Sequence, residues 1–361
     1  MTYLKPTSLC LFLSILSQHV FADDLTFVGT IKQPLTPTHI NTSLHTQPQD
    51  QPHTTFITLP EYTLSDATQH LIYQRAQDAL KTQKSSNLFI NQSKKKQLGM
   101  GQVPVLNQGE HGTCATFAVT AAADAVINKG DRISPLCLLQ LGNYLETRSL
   151  GKSGWDGINI YETLNRLTHY GFITSRNQKK YGCGNVYYYP YYEVDTPYSS
   201  ISLDAYTKRR DRSSETRFTW EKIFTTINRT PNERINAIKA SIDAGHRVIV
   251  STLLPASDLG TAGATGRHHY TNDTWIFTEE IYQRIKYQTH FSSHAMVITG
   301  YDDDAFATDN HGRRHRGLLT LRNSWGSWVA DWGDFYMSYD YADILTHRGE
   351  QLFDSAGKTS G

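Results

Sequence analysis

The stretch NQGEHGTCATFA, residues 107–118, places Cys114 where a glycine-bearing loop gives way to an apolar helix, with Gln108 six positions ahead of it. A thiol at a helix N-terminus faces unsatisfied backbone N–H groups and the positive end of the helix dipole. That environment favours a thiolate and predicts a lowered pKa for Cys114. A thiol nucleophile also needs a base, a group that orients the base, and donors for the oxyanion on the attacked carbonyl. His294, opening HAMVITGY, is the candidate base. Asn323, in LRNSWGSW, is the candidate orienter, its side-chain carbonyl accepting from the imidazole. Gln108 has an amide N–H to offer the oxyanion beside the backbone N–H of Cys114, and Trp325 is placed to shield the His–Asn hydrogen bond. Taken alone, Cys114 is better read as a buried structural thiol. The accompanying Gln, His and Asn argue for the nucleophile.

These residues need elements to hold them. CATFAVTAAADAVINKG reads as a helix from Cys114, apolar nearly all round and so central to a domain, with Gly130 as its stop. A second helix starts at Ser134 and Pro135, which suit the cap and first-turn positions. GINIYETLNRLTHYGFI and PNERINAIKASIDAG give a third, closed near Gly171, and a fourth. HRVIVSTLL, HAMVITGYDD, GLLTLRNSW and GDFYMSYDYA then read as strands. Helices followed by a mostly antiparallel β half make an α+β fold.

Upstream, DLTFVGTIKQPL and TTFITLPEYTL are strand-like. SDATQHLIYQRAQDALKTQ is helical, capped by Ser65 or Asp66, with Ala67, Leu71, Ile72, Ala76, Ala79 and Leu80 on one face. NQSKKKQLGMGQ, 91–102, reads as a basic linker open to proteolysis. Residues 1–22 have the plan of a secretory signal: Lys5, the apolar run LCLFLSILS, and a small-residue site at Ala22. No other stretch reaches membrane-spanning length. The expected organisation is a signal at 1–22, a pro-region at 23–98 and a catalytic domain at 99–361. The mature chain is expected to be exported, to a periplasmic, extracellular or lysosome-like compartment, without a membrane span.

Hydrophobic residues make up 39% of the chain and charged residues 19%, which suits a globular core. Thirty-five Lys and Arg against 34 Asp and Glu give no reason to expect nucleic acid as a partner. Once Cys10 leaves with the signal, Cys114, Cys137 and Cys183 remain, and an odd count in an exported chain leaves one thiol unpaired or paired elsewhere. Cys114 is the candidate free thiol. Cys137 and Cys183 are either a disulfide or two buried thiols. His268, His269 and the HGRRHRG stretch lack the spaced Cys/His framework of a zinc site and read as solvated loop histidines. No metal or cofactor is expected.

NQGEHGTCATFA, SSHAMVITGY and LRNSWGSWVADWGDFYM together resemble the three signature blocks of the papain-like cysteine peptidases, in order, over 103–339. The resemblance implies a two-lobed fold, with Cys114 as nucleophile on a helical lobe and His294 as acid/base on a β lobe. It further implies Asn323 as orienter, Gln108 as oxyanion donor, Trp325 as shield, and protein or peptide substrates cleaved by a monomer. There are departures. Ala115 stands where the family has Trp. His111 stands where it has Cys, and GWDGI lacks the partner cysteine, so one family disulfide is missing at both ends. Cys137–Cys183 would be a second family disulfide, although Cys137 falls early and within a helix. Cys114 and His294 are 180 positions apart, which implies insertions over 195–229, 256–291 and 302–317. The N-terminal region lacks the common pro-helix pattern and is expected to cover the cleft until cleavage near Lys94–Lys96. An amidase, deamidase or acyl transferase, or a non-catalytic binding module, would fit the same residues.

Overall fold

The computed structural model describes residues 25–36, 38, 56–85, 94–128, 131–197, 199–211, 218–225, 232–255 and 260–355. The expected signal lies outside the described residues, as do 39–55 and 86–93 of the expected pro-region.

The chain begins with a hairpin. β1 (Leu25–Pro34) and β2 (Phe56–Leu64) pair antiparallel from Leu25↔Leu64 to Pro34↔Phe56. α1 (Asp66–Ser85) follows at once, with the Ser65 hydroxyl accepting from the Thr68 N–H at its first turn. Ile72 and Ala76 of α1 are buried in one core with Leu35, Ile57, Leu59 and Leu64 of the hairpin region and with the main sheet. Ala67, expected on that face, is exposed.

Within the expected basic linker, Lys95–Gln97 form a strand instead. β3 (Lys95–Gln97) pairs with the sheet at Lys95↔Asp302, Lys96↔Tyr301 and Gln97↔Gly300. The Lys95 ammonium lies 2.9 Å from Asp302, and the Lys94 N–H donates to Asp303. Two consecutive aspartates draw the basic run onto a strand edge that would otherwise lack partners.

The helical lobe comprises α2 (Cys114–Ile127), α3 (Pro135–Glu146), α4 (Ile160–Tyr170), α5 (Ser175–Tyr181) and α6 (Leu203–Arg209). α2 ends two residues before the expected Gly130: Asn128, at φ 49°, takes the left-handed cap itself, a conformation asparagine tolerates. Ser134 caps α3 through the Cys137 N–H. Cys137 and Cys183 are joined as a disulfide with Cα atoms 5.1 Å apart, buried beside Trp155 and Tyr206.

The β lobe contains β4 (Phe218–Thr225), α7 (Glu233–Asp243), β5 (Arg247–Leu254), β6 (Thr274–Trp275), α8 (Glu279–Tyr287), β7 (His290–Thr308), β8 (Arg314–Arg322), β9 (Asp334–Ser338), α9 (Tyr339–Leu345) and β10 (Thr346–Asp354). The sheet runs β4-β10-β5-β7-β8-β9-β6, antiparallel except for β6 beside β9. β7 is the central strand and borrows from both ends of the chain. Ser292 faces Leu254 of β5 on one edge and Glu61 of β2 on the other, so β2 continues the edge that β8 occupies further along. The insertion at 302–317 is an extension of the β7–β8 hairpin and not a free loop, with Phe306↔Arg316 and Thr308↔Arg314 in register. α2 packs its Ala118, Val119 and Ala122 against Ile249, Ala295 and Val297, which joins the two lobes. This is the α+β, two-lobed arrangement implied by the motif resemblance. Among the described residues no helix is long and apolar enough to cross a membrane.

Candidate active site

The seam between α2 and β7 brings the predicted residues together. Cys114 opens α2 and is buried, and the backbone of Ala295, the residue after His294, acts to lower its pKa. The imidazole Nε2–H of His294 donates to Asn323 Oδ1 at 2.8 Å. Its other nitrogen, Nδ1, is buried without a hydrogen-bond partner. Asn323 thus fixes one face of the ring and leaves the second nitrogen for chemistry. Trp325 lies nearly parallel to the imidazole, ring centroids 4.6 Å apart, and is wholly buried, which keeps water from the His–Asn bond.

Gln108 is held on every side. Its N–H donates to the Ser324 carbonyl at 2.8 Å, its Oε1 accepts from the Ser324 hydroxyl at 2.8 Å, and its Nε2 donates to the His111 carbonyl at 2.7 Å. The backbone N–H of Ser324 in turn donates to Asn323 Oδ1 at 2.7 Å. Ser324 therefore ties the oxyanion candidate to the histidine's orienter, a role that the sequence reading missed although the residue stands between two that it named.

The loop carrying these groups is clasped by the tyrosine-rich segment. Glu110 N–H donates to Tyr191 O at 2.8 Å, and a side chain at Gly109 (φ +62°) would run into that same carbonyl, so glycine is required there. The Tyr189 hydroxyl donates to the Gln108 carbonyl. His111 is buried and bonded to Pro190 O at 2.9 Å, with its ring edge 4.9 Å from Trp155; burial pushes its pKa down. Where the resembling family has a disulfide, this chain has a histidine against a tryptophan.

The N-terminal hairpin lies against the residues around this site. The Thr58 N–H donates to Glu110 O at 3.1 Å, Pro60 sits directly over Gly157, and Tyr62 pairs with Phe291. Burial raises the Tyr62 pKa, and the charge that a Cys114 thiolate would carry raises it further. The Thr38 N–H donates to Trp328 O at 2.8 Å, and Lys32 pairs with Glu193. Under this cover the expectation of a lowered thiol pKa fails. Burial pushes Cys114 up to about 11, outweighing the backbone donors at the helix start, and pushes His294 down to about 4. The pair is thiol and neutral imidazole in this form.

The remaining histidines lie apart from this site. His269 Nδ1 is 2.7 Å from Asp331, and His268 Nδ1 bonds Phe306 O. His315 is not a solvated loop residue: it is buried on β8 between Asp309 and Asp340, at 3.3 and 3.7 Å. No group of three or more metal-ligating side chains occurs among the described residues. The disulfide lies in a separate cluster of the helical lobe.

No protein-family model and no curated protein matches the chain in sequence. Among solved structures, it is similar to xylellain, a cysteine protease from Xylella fastidiosa, at 16% identity and a TM-score of 0.47, covering 72% of this chain and 85% of that one. It is also similar to the proform of the ragweed pollen cysteine protease Amb a 11, at 13% identity and TM-score 0.44 over 78% and 74% of the two chains. A third is procathepsin L 3 of the Tenebrio molitor larval midgut, at 17% and 0.43 over 75% and 71%. At such similarity no activity, substrate or residue role carries over, and what this chain does rests on its own side chains.

Proposed function

We propose that the chain is a cysteine endopeptidase, exported and made as a precursor whose cleft is filled by the β1–β2 pair. The observation that carries this is the His294–Asn323 bond at 2.8 Å, with Cys114 buried at the start of α2 and His294 Nδ1 left without a partner. With the cleft open, His294 takes the thiol proton and Cys114 Sγ attacks the peptide carbonyl carbon. Gln108 Nε2 and the Cys114 N–H hold the oxyanion. The C–N bond then breaks as His294 gives its proton to the leaving amine. Water, deprotonated by His294, attacks the thioester, and the acid product leaves with the thiol restored.

A polypeptide substrate is favoured over a small amide because the cleft's present occupant is an extended strand contacting both lobes, at Glu110 and at β7. An occupant that runs on past the site at both ends also favours internal cleavage. The boundary of the covering segment is better placed within 86–93 than at 98, because β3 belongs to the sheet. The test is digestion of a peptide library by a full chain whose hairpin is opened by Pro60→Glu. Internal cleavage lost in Cys114→Ser supports the reading. Ammonia release without backbone cleavage would replace it with a deamidase, and no turnover at all would favour a binding module.

A further inference from the structure

The spacing between the oxyanion donor and the nucleophile is set by a loop, 108–114, that no disulfide braces. We infer that Tyr189 is a positioning residue that clamps the two ends of this loop through its hydroxyl. This rests on the peptidase reading above. The phenolic O–H donates to the Gln108 carbonyl at 2.9 Å, and the same oxygen lies 2.9 Å from the hydroxyl of Thr113, the residue before Cys114. One oxygen thus joins the residue bearing the oxyanion amide to the residue preceding the thiol. Thr113 is fully buried and makes no side-chain cap to α2, so its hydroxyl is directed to Tyr189.

The ring is fixed as firmly as the hydroxyl. Tyr189 stacks on Trp155 at 5.7 Å and 21°, meets Phe117 of α2 edge-on at 5.1 Å, and meets His111 edge-on at 5.8 Å. Three of these four rings come from the loop, the following helix and the GWDGI turn, so the clamp is built on both sides of the nucleophile. Burial holds the phenol well above its ordinary pKa, so it stays protonated and remains a donor. Sub-ångström placement of an oxyanion donor governs the rate of the chemical step more than substrate binding. Alkylation by a small haloacetamide needs the thiolate but no oxyanion hole, so the two reactions separate a clamp from a general packing role.

The experiment uses the full chain opened by Pro60→Glu, with and without Tyr189→Phe. The clamp predicts kcat for an internally quenched peptide about ten- to a hundredfold lower, KM changed by less than about threefold, and iodoacetamide alkylation of Cys114 within about twofold. Thr113→Val, which leaves the tyrosine in place, should give the same split and covers the case in which Tyr189→Phe does not fold. Unchanged kcat in both variants overturns the inference, and so does a parallel fall in kcat and alkylation. If the opened parent shows neither turnover nor alkylation that depends on Cys114, the peptidase reading itself fails.

Discussion

At the scale of single residues, the geometry separates two states of the same pair. The backbone of Ala295, Ala115 and Cys114 itself favours a Cys114 thiolate under the hairpin, but desolvation outweighs it. The covered chain should therefore react with iodoacetamide slowly at neutral pH, and the rate should climb only as pH approaches about 11. The sign for His294 is the reverse. Its covered pKa of about 4 lies below the ordinary 6.5, so the covered state is disfavoured as pH falls from about 6.5 toward 4, where the open state takes up a proton that the covered one refuses. Acid should open the cleft, and labelling of Cys114 in the full chain after a pulse at pH 4.5 should exceed labelling after the same pulse at pH 7. In the open state Asn323→Ala should lower kcat by about ten- to a hundredfold, a share of the usual general acid–base contribution, with the pH profile shifted as the imidazole loses its acceptor.

At the scale of elements, the N-terminal segment is two devices. The hairpin contacts Glu110 and β7, while α1 is part of the β-lobe core: Ile72 and Ala76 are buried, and Tyr73 stacks on Tyr282 at 5.7 Å. A cut within 86–93 therefore leaves the first piece bound. Native mass spectrometry of a chain nicked there should find both fragments together, with Cys114 still protected. Ile72→Ala removes a fully buried side chain and should cost about 2–4 kcal/mol of stability, read as a lowered Tm, while loosening the anchor. The sequence made α1 legible because Ile72 and Ala76 recur at helical spacing and Ser65 supplies a cap. It hid β3, whose lysines read as solvated linker until Asp302 and Asp303 are seen opposite them. α8 and β10 were hidden for another reason: their apolar residues are few, and a β-lobe core that is distant in sequence decides them. Of the candidate site, the residues linked by hydrogen bonds and ring contacts, Gln108, His294, Asn323 and Trp325, were named from motif order. Ser324 and Tyr189 were not, because they act through partners 216 and 81 positions away.

At the scale of the molecule, β7 organises everything: it carries His294, pairs with β5 and β8, and receives β2 and β3 from the N-terminal region. Under the proposed function, inhibition and catalysis would share one strand, and displacing β2 would open the edge next to His294. The helical lobe is braced separately by Cys137–Cys183, which closes a 46-residue separation. By loop entropy its loss should cost about 4 kcal/mol, so Cys137→Ser with Cys183→Ser should lower Tm without altering the Cys114 labelling rate at temperatures where the lobe stays folded. The measurement that tests the central claim most directly is intact-mass labelling with an epoxide-type cysteine-peptidase inactivator. It compares the full chain, the chain opened by Pro60→Glu, and the opened chain carrying Cys114→Ser. The structure predicts one stoichiometric adduct on the opened chain, little on the covered chain and none on the serine variant. An opened chain without a Cys114-dependent adduct would contradict an activated thiol at this site.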